Sequence, residues 1–139
     1  MRVLGIDPGS VRVGLALSDE GRSLASPLRT LPATPKAELF RQLADIVSTQ
    51  DVDAIVIGLP LRLDGREGPE ARRARAFGAT VAEATKILPV FWDERLSSTQ
   101  AERSLRAAGK KKKAMRGLVD QVAAALVLQS YLDAQRASE

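Results

Sequence analysis

The chain has 139 residues, 45% hydrophobic and 27% charged, the size and balance of one folded domain spanning residues 1–139 rather than a disordered chain. It contains no histidine and no cysteine, which excludes Ser-His-Asp and Cys-His nucleophilic sites, histidine bases, ordinary zinc sites and any disulfide framework. Carboxylates, with or without a hard cation, are left as the chemistry-bearing groups, and the formal net charge of +4 leans toward a polyanionic partner.

The first 18 residues read as a hairpin. Strands over residues 2–7 and 11–18 flank the turn Asp7-Pro8-Gly9-Ser10, where glycine permits a tight reversal. Residues 23–31 suit a third strand ended by Pro32, and Thr34-Pro35 suits a helix start, with a capping hydroxyl before a proline. Leu39, Phe40, Leu43, Ile46 and Val47 then form a helical stripe. The run VDAIVIGLP (52–60) shows no alternation and predicts a strand buried on both faces.

A loop rich in Asp, Gly and Arg leads to a second helix, opened by Pro69 and ending near Thr85. A short strand is expected over 88–93. Ser97 and Gln100 have the spacing of a capping box, so a helix should follow and stop at Gly109. Lys110 to Arg116 form a basic connector into a last helix from about Leu118 to Gln135. No apolar run approaches the roughly 20 residues of a membrane helix. The N-terminus enters a strand directly, so no signal peptide is expected, and the cysteine-free chain reads as cytoplasmic without a membrane partner. Strands followed by alternating strand and helix predict an α/β fold. Its sheet should be mixed, an antiparallel meander joined to parallel strands.

Three carboxylates stand out by position. Asp7 ends the first strand and Glu94 the last short one, and ligands gather at the carboxyl ends of strands in α/β sheets. Asp120 shares a helical face with Ala123, Ala124, Val127 and Tyr131, so it should press toward the sheet, where an unpaired charge is costly. Each also has a plain reading: Asp7 a turn residue, Glu94 a solvated end or a partner for Arg95, Asp120 an acid favoured by a helix N-terminus.

Four stretches resemble the YqgF/RuvX family of the ribonuclease H-like superfamily: GIDPGSVRVGLALSD (5–19), VIGLPLRLDGREGPEARRARAF (56–77), DERLSSTQAE (93–102) and VDQVAAALVLQSYL (119–132). Arg62 departs from the asparagine that relatives often carry after GLPL. The resemblance implies a ribonuclease H-like fold, with a mixed five-stranded sheet flanked by helices, and metal-dependent hydrolysis of phosphodiester bonds. The family's acidic triad falls on Asp7, Glu94 and Asp120, as catalytic residues and as ligands for Mg²⁺ or Mn²⁺. Three carboxylates at one sheet edge can hold two such ions about 4 Å apart, with Asp7 the bridging ligand.

The implied substrates are the 5′ end of precursor 16S ribosomal RNA, ranked first, or the four-way DNA junction, for which symmetry matching would call for a homodimer. An actin-like phosphate-binding ATPase and a non-catalytic nucleic-acid-binding module are the rival readings. Arg62, Arg72 and Arg73, with Arg66 and Arg75 near them, and then Lys110, Lys111, Lys112, Lys113 and Arg116, are the candidate phosphate contacts. Aromatic residues are only 4%, and Phe40, Phe77 and Phe91 read as core, so recognition should follow backbone and shape rather than base stacking.

Overall fold

The computed structural model describes residues 1–96 and 118–139, with backbone alone at 116 and 117. The expected helix from Ser97 to Gly109 and the lysine run 110–113 lie outside the described residues, as does the side chain of Arg116.

Strand β1 (Arg2–Pro8) pairs antiparallel with β2 (Arg12–Ser18), and β2 pairs antiparallel with β3 (Ala25–Pro32). Helix α1 (Lys36–Thr49) leads to β4 (Val52–Leu59), parallel to β1. Helix α2 (Pro69–Thr85) leads to β5 (Val90–Asp93), parallel to β4. A 3₁₀ turn follows over Glu94–Leu96, and α3 (Arg116–Ala137) is the last element. The sheet order is β3-β2-β1-β4-β5, mixed and five-stranded as expected.

The central strands carry no polar alternation because each face meets a helix layer. Leu4, Ile6, Val13, Leu15, Ile55 and Ile57 pack on one face with Leu39, Leu43 and Ile46 of α1 and Val81 of α2. Val3, Ala16 and Val56 pack on the other with Ala124, Val127, Leu128 and Leu132 of α3. The spacing of two along each strand sorts these sets. Helix α3 is held along its length by polar contacts. Gln129 accepts from the Ala25 amide at 2.9 Å and donates to the Ser23 carbonyl at 2.9 Å, while Trp92 donates its indole N–H to Ser130 at 3.0 Å.

Several boundaries differ from the sequence reading. The third strand starts at Ala25 because Asp19 accepts the Ser23 and Leu24 amides and closes a turn before it. The strand also runs through Pro32, which an edge strand tolerates because one side of it needs no donor. Thr34 does not cap α1: Pro35 is the capping residue, and no side chain caps that end. The fifth strand starts at Val90, two residues late, and Leu88 before it is 85% exposed. The last helix runs from Arg116 to Ala137, so Asp120 sits in its second turn, beyond most of the reach of the helix dipole.

Candidate active site

The register of the sheet builds the site. Asp7 lies directly opposite Gly14 on β2, and on the other side it follows the Ile6–Ile57 pair, next to Gly58 of β4. A glycine therefore flanks the Asp7 carboxylate on each neighbouring strand. Both glycines are occupied from above. A Cβ on Gly14 would lie 2.0 Å from the Asp120 carbonyl oxygen, and one on Gly58 would lie 2.6 Å from Oε1 of Glu94. The row Gly14, Asp7, Gly58 is a shallow trough that admits α3 at one end and the Glu94 side chain at the other.

Glu94 is delivered by the 3₁₀ turn that follows β5. Its neighbours fix that turn: Arg95 closes back on Asp93, with Nη2 to Oδ2 at 2.7 Å and its amide to Oδ1 at 2.9 Å, and it reaches the Leu63 carbonyl at 3.3 Å. The partner of Arg95 is thus Asp93, not Glu94, and Glu94 faces Asp7. The two share a side-chain hydrogen bond.

Asp7 is the electrostatic focus. Burial pushes its carboxyl from the usual 3.8 up to about 9, and the hydrogen bond to Glu94 and the charges of Glu94 and Asp120 push the same way. Asp120 meets a different fate. Arg12 donates from Nε to its Oδ2 at 2.8 Å, across 108 residues of sequence. The burial cost expected for Asp120 is offset by this partner, whereas among the described residues Asp7 has no cationic partner. Among the described residues no three acidic side chains are grouped tightly enough to hold an ion together, and Asp120 is turned onto Arg12.

Asp7 and Glu94 line a pocket of about 400 Å³ with Pro8, Ser10, Arg73 and Glu70. A second pocket of about 390 Å³ joins it through Arg73 and Glu70 and is lined by Arg62 and Gly68. Arg73 therefore lines both pockets and Arg62 the second. Arg72 is exposed and lines neither pocket. Arg75 is committed elsewhere: it forks onto Glu67 at 2.6 and 2.7 Å and lies 4.9 Å from the Phe91 ring centre, pinning the β4–α2 loop. Arg66 pairs with Asp64 at 3.6 Å.

Three participants escaped the sequence reading: Arg12, Glu70 and the glycine pair. The signal for the glycines was present, since Gly14 and Gly58 interrupt strands that otherwise bury large side chains, the mark of a close approach. Arg12 and Glu70 carry no local signal.

The chain matches the family model described as "RuvX: Holliday junction resolvase" over residues 1–134. The chain belongs to the RuvX family. A relative from Gluconobacter oxydans, named "Putative pre-16S rRNA nuclease", is 47% identical over 136 residues, covering 97% of this chain and 85% of its own length. One of the same name from Anaeromyxobacter sp. (strain K) is 44% identical over 133 residues, covering 96% and 97%.

Among solved structures, Thermus thermophilus RuvC in complex with a Holliday junction substrate superposes with TM-score 0.61 at 17% identity, covering 98% of this chain and 96% of RuvC. The fowlpox virus resolvase with junction DNA gives 0.51 at 8%, covering 97% and 99%. At such identities the likeness concerns the fold, which is ribonuclease H-like, as the resemblance implied. Membership of the RuvX family decides against the actin-like ATPase.

Proposed function

We propose that this RuvX-family chain is a metal-dependent nuclease, a hydrolase of phosphodiester bonds, with Asp7, Glu94 and Asp120 as its catalytic carboxylates. The observation that carries this reading is Asp7: a half-buried carboxyl at a strand end, hydrogen-bonded to a second acid, with a third close enough to raise its pKa. No structural purpose is served by that arrangement, which costs stability unless a cation neutralises it.

The donor set fits a hard divalent ion. Every candidate ligand is a carboxylate oxygen, the class preferred by Mg²⁺ and Mn²⁺, and no salt bridge to Asp7 exists among the described residues. Asp7 and Glu94 would hold the ion or ion pair, joined by Asp120 once it leaves Arg12. An ion held there supplies Lewis-acid polarisation of the phosphodiester and charge stabilisation of the leaving oxygen.

The chain's own residues supply the rest. Arg73, on the pocket wall, neutralises and orients the phosphate beside the carboxylates, and Arg62 extends that positive edge along the neighbouring pocket. Arg12 orients Asp120 before the ion arrives. The lysines 110–113 and Arg116 are assigned to phosphate contact because four adjacent lysines repel one another until an anion lies among them.

As substrate we propose the 5′ end of precursor 16S ribosomal RNA, supported by the names of relatives up to 47% identical. The family description favours a second reading, cleavage of a Holliday junction, for which symmetry matching calls for a homodimer. We take residues 1–139 as one nuclease domain acting in the cytoplasm, supported by a cysteine-free chain. No helix among the described residues is long and apolar enough to cross a membrane. The test is a panel of single-stranded RNA leader, duplex and four-way junction with Mg²⁺ or Mn²⁺. Cleavage of the RNA leader that the Asp7→Asn variant cannot perform is expected. Symmetric junction cleavage at enzyme levels that leave the RNA intact would select the second reading.

A further inference from the structure

A groove of about 500 Å³ opens between α1 and α2. It shares Gly9, Ser10, Arg73 and Phe77 with the acid-lined pocket, so the two form one continuous depression. Its lining is mostly apolar, with Val13, Leu39, Phe40 and Phe77 at the bottom, and Ala37 and Ala76 as low walls. The Phe40 and Phe77 rings are half-buried, 5.4 Å apart and tilted by 42°. Lys36 and Arg73 stand exposed at its edges.

We propose that this groove receives one unstacked nucleobase of the substrate strand, next to the phosphate held at Asp7; the proposal rests on the nuclease reading. The polarity of the depression matches a nucleotide. One end is apolar and aromatic, suited to a flat base, and the other joins carboxylates and arginine, suited to a metal-bridged phosphate. The volume lies in the range that encloses ligands of nucleoside size. An apolar peptide or a second copy of the chain would use the aromatic end but would leave Lys36 and Arg73 without an anion. A nucleotide satisfies both ends at once.

The low aromatic content therefore understates the part played by bases, because two of the three phenylalanines in the sequence lie together at the cleavage edge. The consequence is a substrate rule: the strand must present an unpaired base beside the cut, whatever its identity, because every base has a face to stack.

The experiment uses a short RNA strand, its bases replaced one at a time by abasic ribose. Binding to the full-length Asp7→Asn protein is measured by fluorescence anisotropy, and cleavage by the unmodified protein with Mn²⁺ is followed in parallel. One position is expected to lose roughly 5- to 150-fold in affinity when its base is removed, the range of a single base–aromatic stack. The others should change little. Ala37→Phe, added to Asp7→Asn at an exposed position in the first turn of α1, fills the groove without entering the core. It should weaken binding of the intact strand by a similar factor and flatten the abasic profile.

A flat profile with the groove unmodified would overturn the proposal, and cleavage persisting in that case would leave the nuclease reading standing. A position-specific profile without cleavage would support the groove and overturn RNA as the polymer that is cut. No binding to any strand would overturn both the groove and RNA as the substrate.

Discussion

Asp7→Asn should make the metal-free protein more stable, and the gain should grow with pH. The Asp7 carboxyl titrates at about 9 in the folded chain against an ordinary 3.8. Below pH 4 both folded and unfolded chains hold this proton and the group has no effect on stability. From about pH 4 to pH 9 the unfolded chain has released the proton while the folded one keeps it. Unfolding free energy therefore falls as pH rises, by up to about 1.4 kcal/mol per unit. At pH 7 the accumulated cost reaches about 4 kcal/mol, a large share of a domain's usual stability.

Asparagine keeps the shape of the side chain and has nothing to titrate. The variant should match the unmodified protein near pH 4 and exceed it at pH 7 by up to about 4 kcal/mol, or roughly 10 °C in Tm. Urea unfolding in a chelator, at intervals from pH 4 to 8, measures both slopes. Parallel slopes for the two proteins would refute the claim that Asp7 carries the site's unrelieved burial. With Mn²⁺ present the unmodified protein should recover much of the difference by mass action, and the variant should not.

Asp120→Asn should behave in the opposite sense, losing about 1 kcal/mol because Arg12 forfeits a charge-assisted partner in a partly exposed pair; equilibrium unfolding reads this directly. Gly58→Ala should leave the fold intact, because the atom it meets is the mobile end of Glu94, yet lower cleavage at least tenfold by turning that carboxylate away from Asp7. Retained cleavage in this variant would show that Glu94 need not lie over Gly58. Replacing Lys110 to Lys113 with alanine should weaken binding to every nucleic acid alike and reduce the salt slope by up to about one unit per lost phosphate contact, as measured by titrations at several salt concentrations.

The amino-acid sequence by itself determined the order of the described strands and helices, the mixed sheet and the chemistry available to the site. Uninterrupted apolar runs at 3–6 and 54–57 mark strands covered on both faces, and the stripe from Leu39 to Val47 marks a helix, because periodicity reports which side of each element is buried. The absence of histidine and cysteine leaves oxygen donors only, and strand-end placement singles out Asp7 and Glu94. Pattern could not say which acid bears the burial cost. Asp120 looked the more exposed to that cost, since its helical neighbours are apolar, whereas the folded chain gives it Arg12 and, among the described residues, gives Asp7 no such partner. Nor could pattern separate Arg73, at the pocket, from Arg75, two residues on and locked to Glu67. Those distinctions depend on register: Asp7 faces Gly14 because β1 and β2 pair as they do, and that glycine is what lets α3 bring Asp120 within reach. Local propensity is set by neighbours a few positions away, while the charge state of a carboxylate is set by groups that only the packed sheet and helices bring beside it.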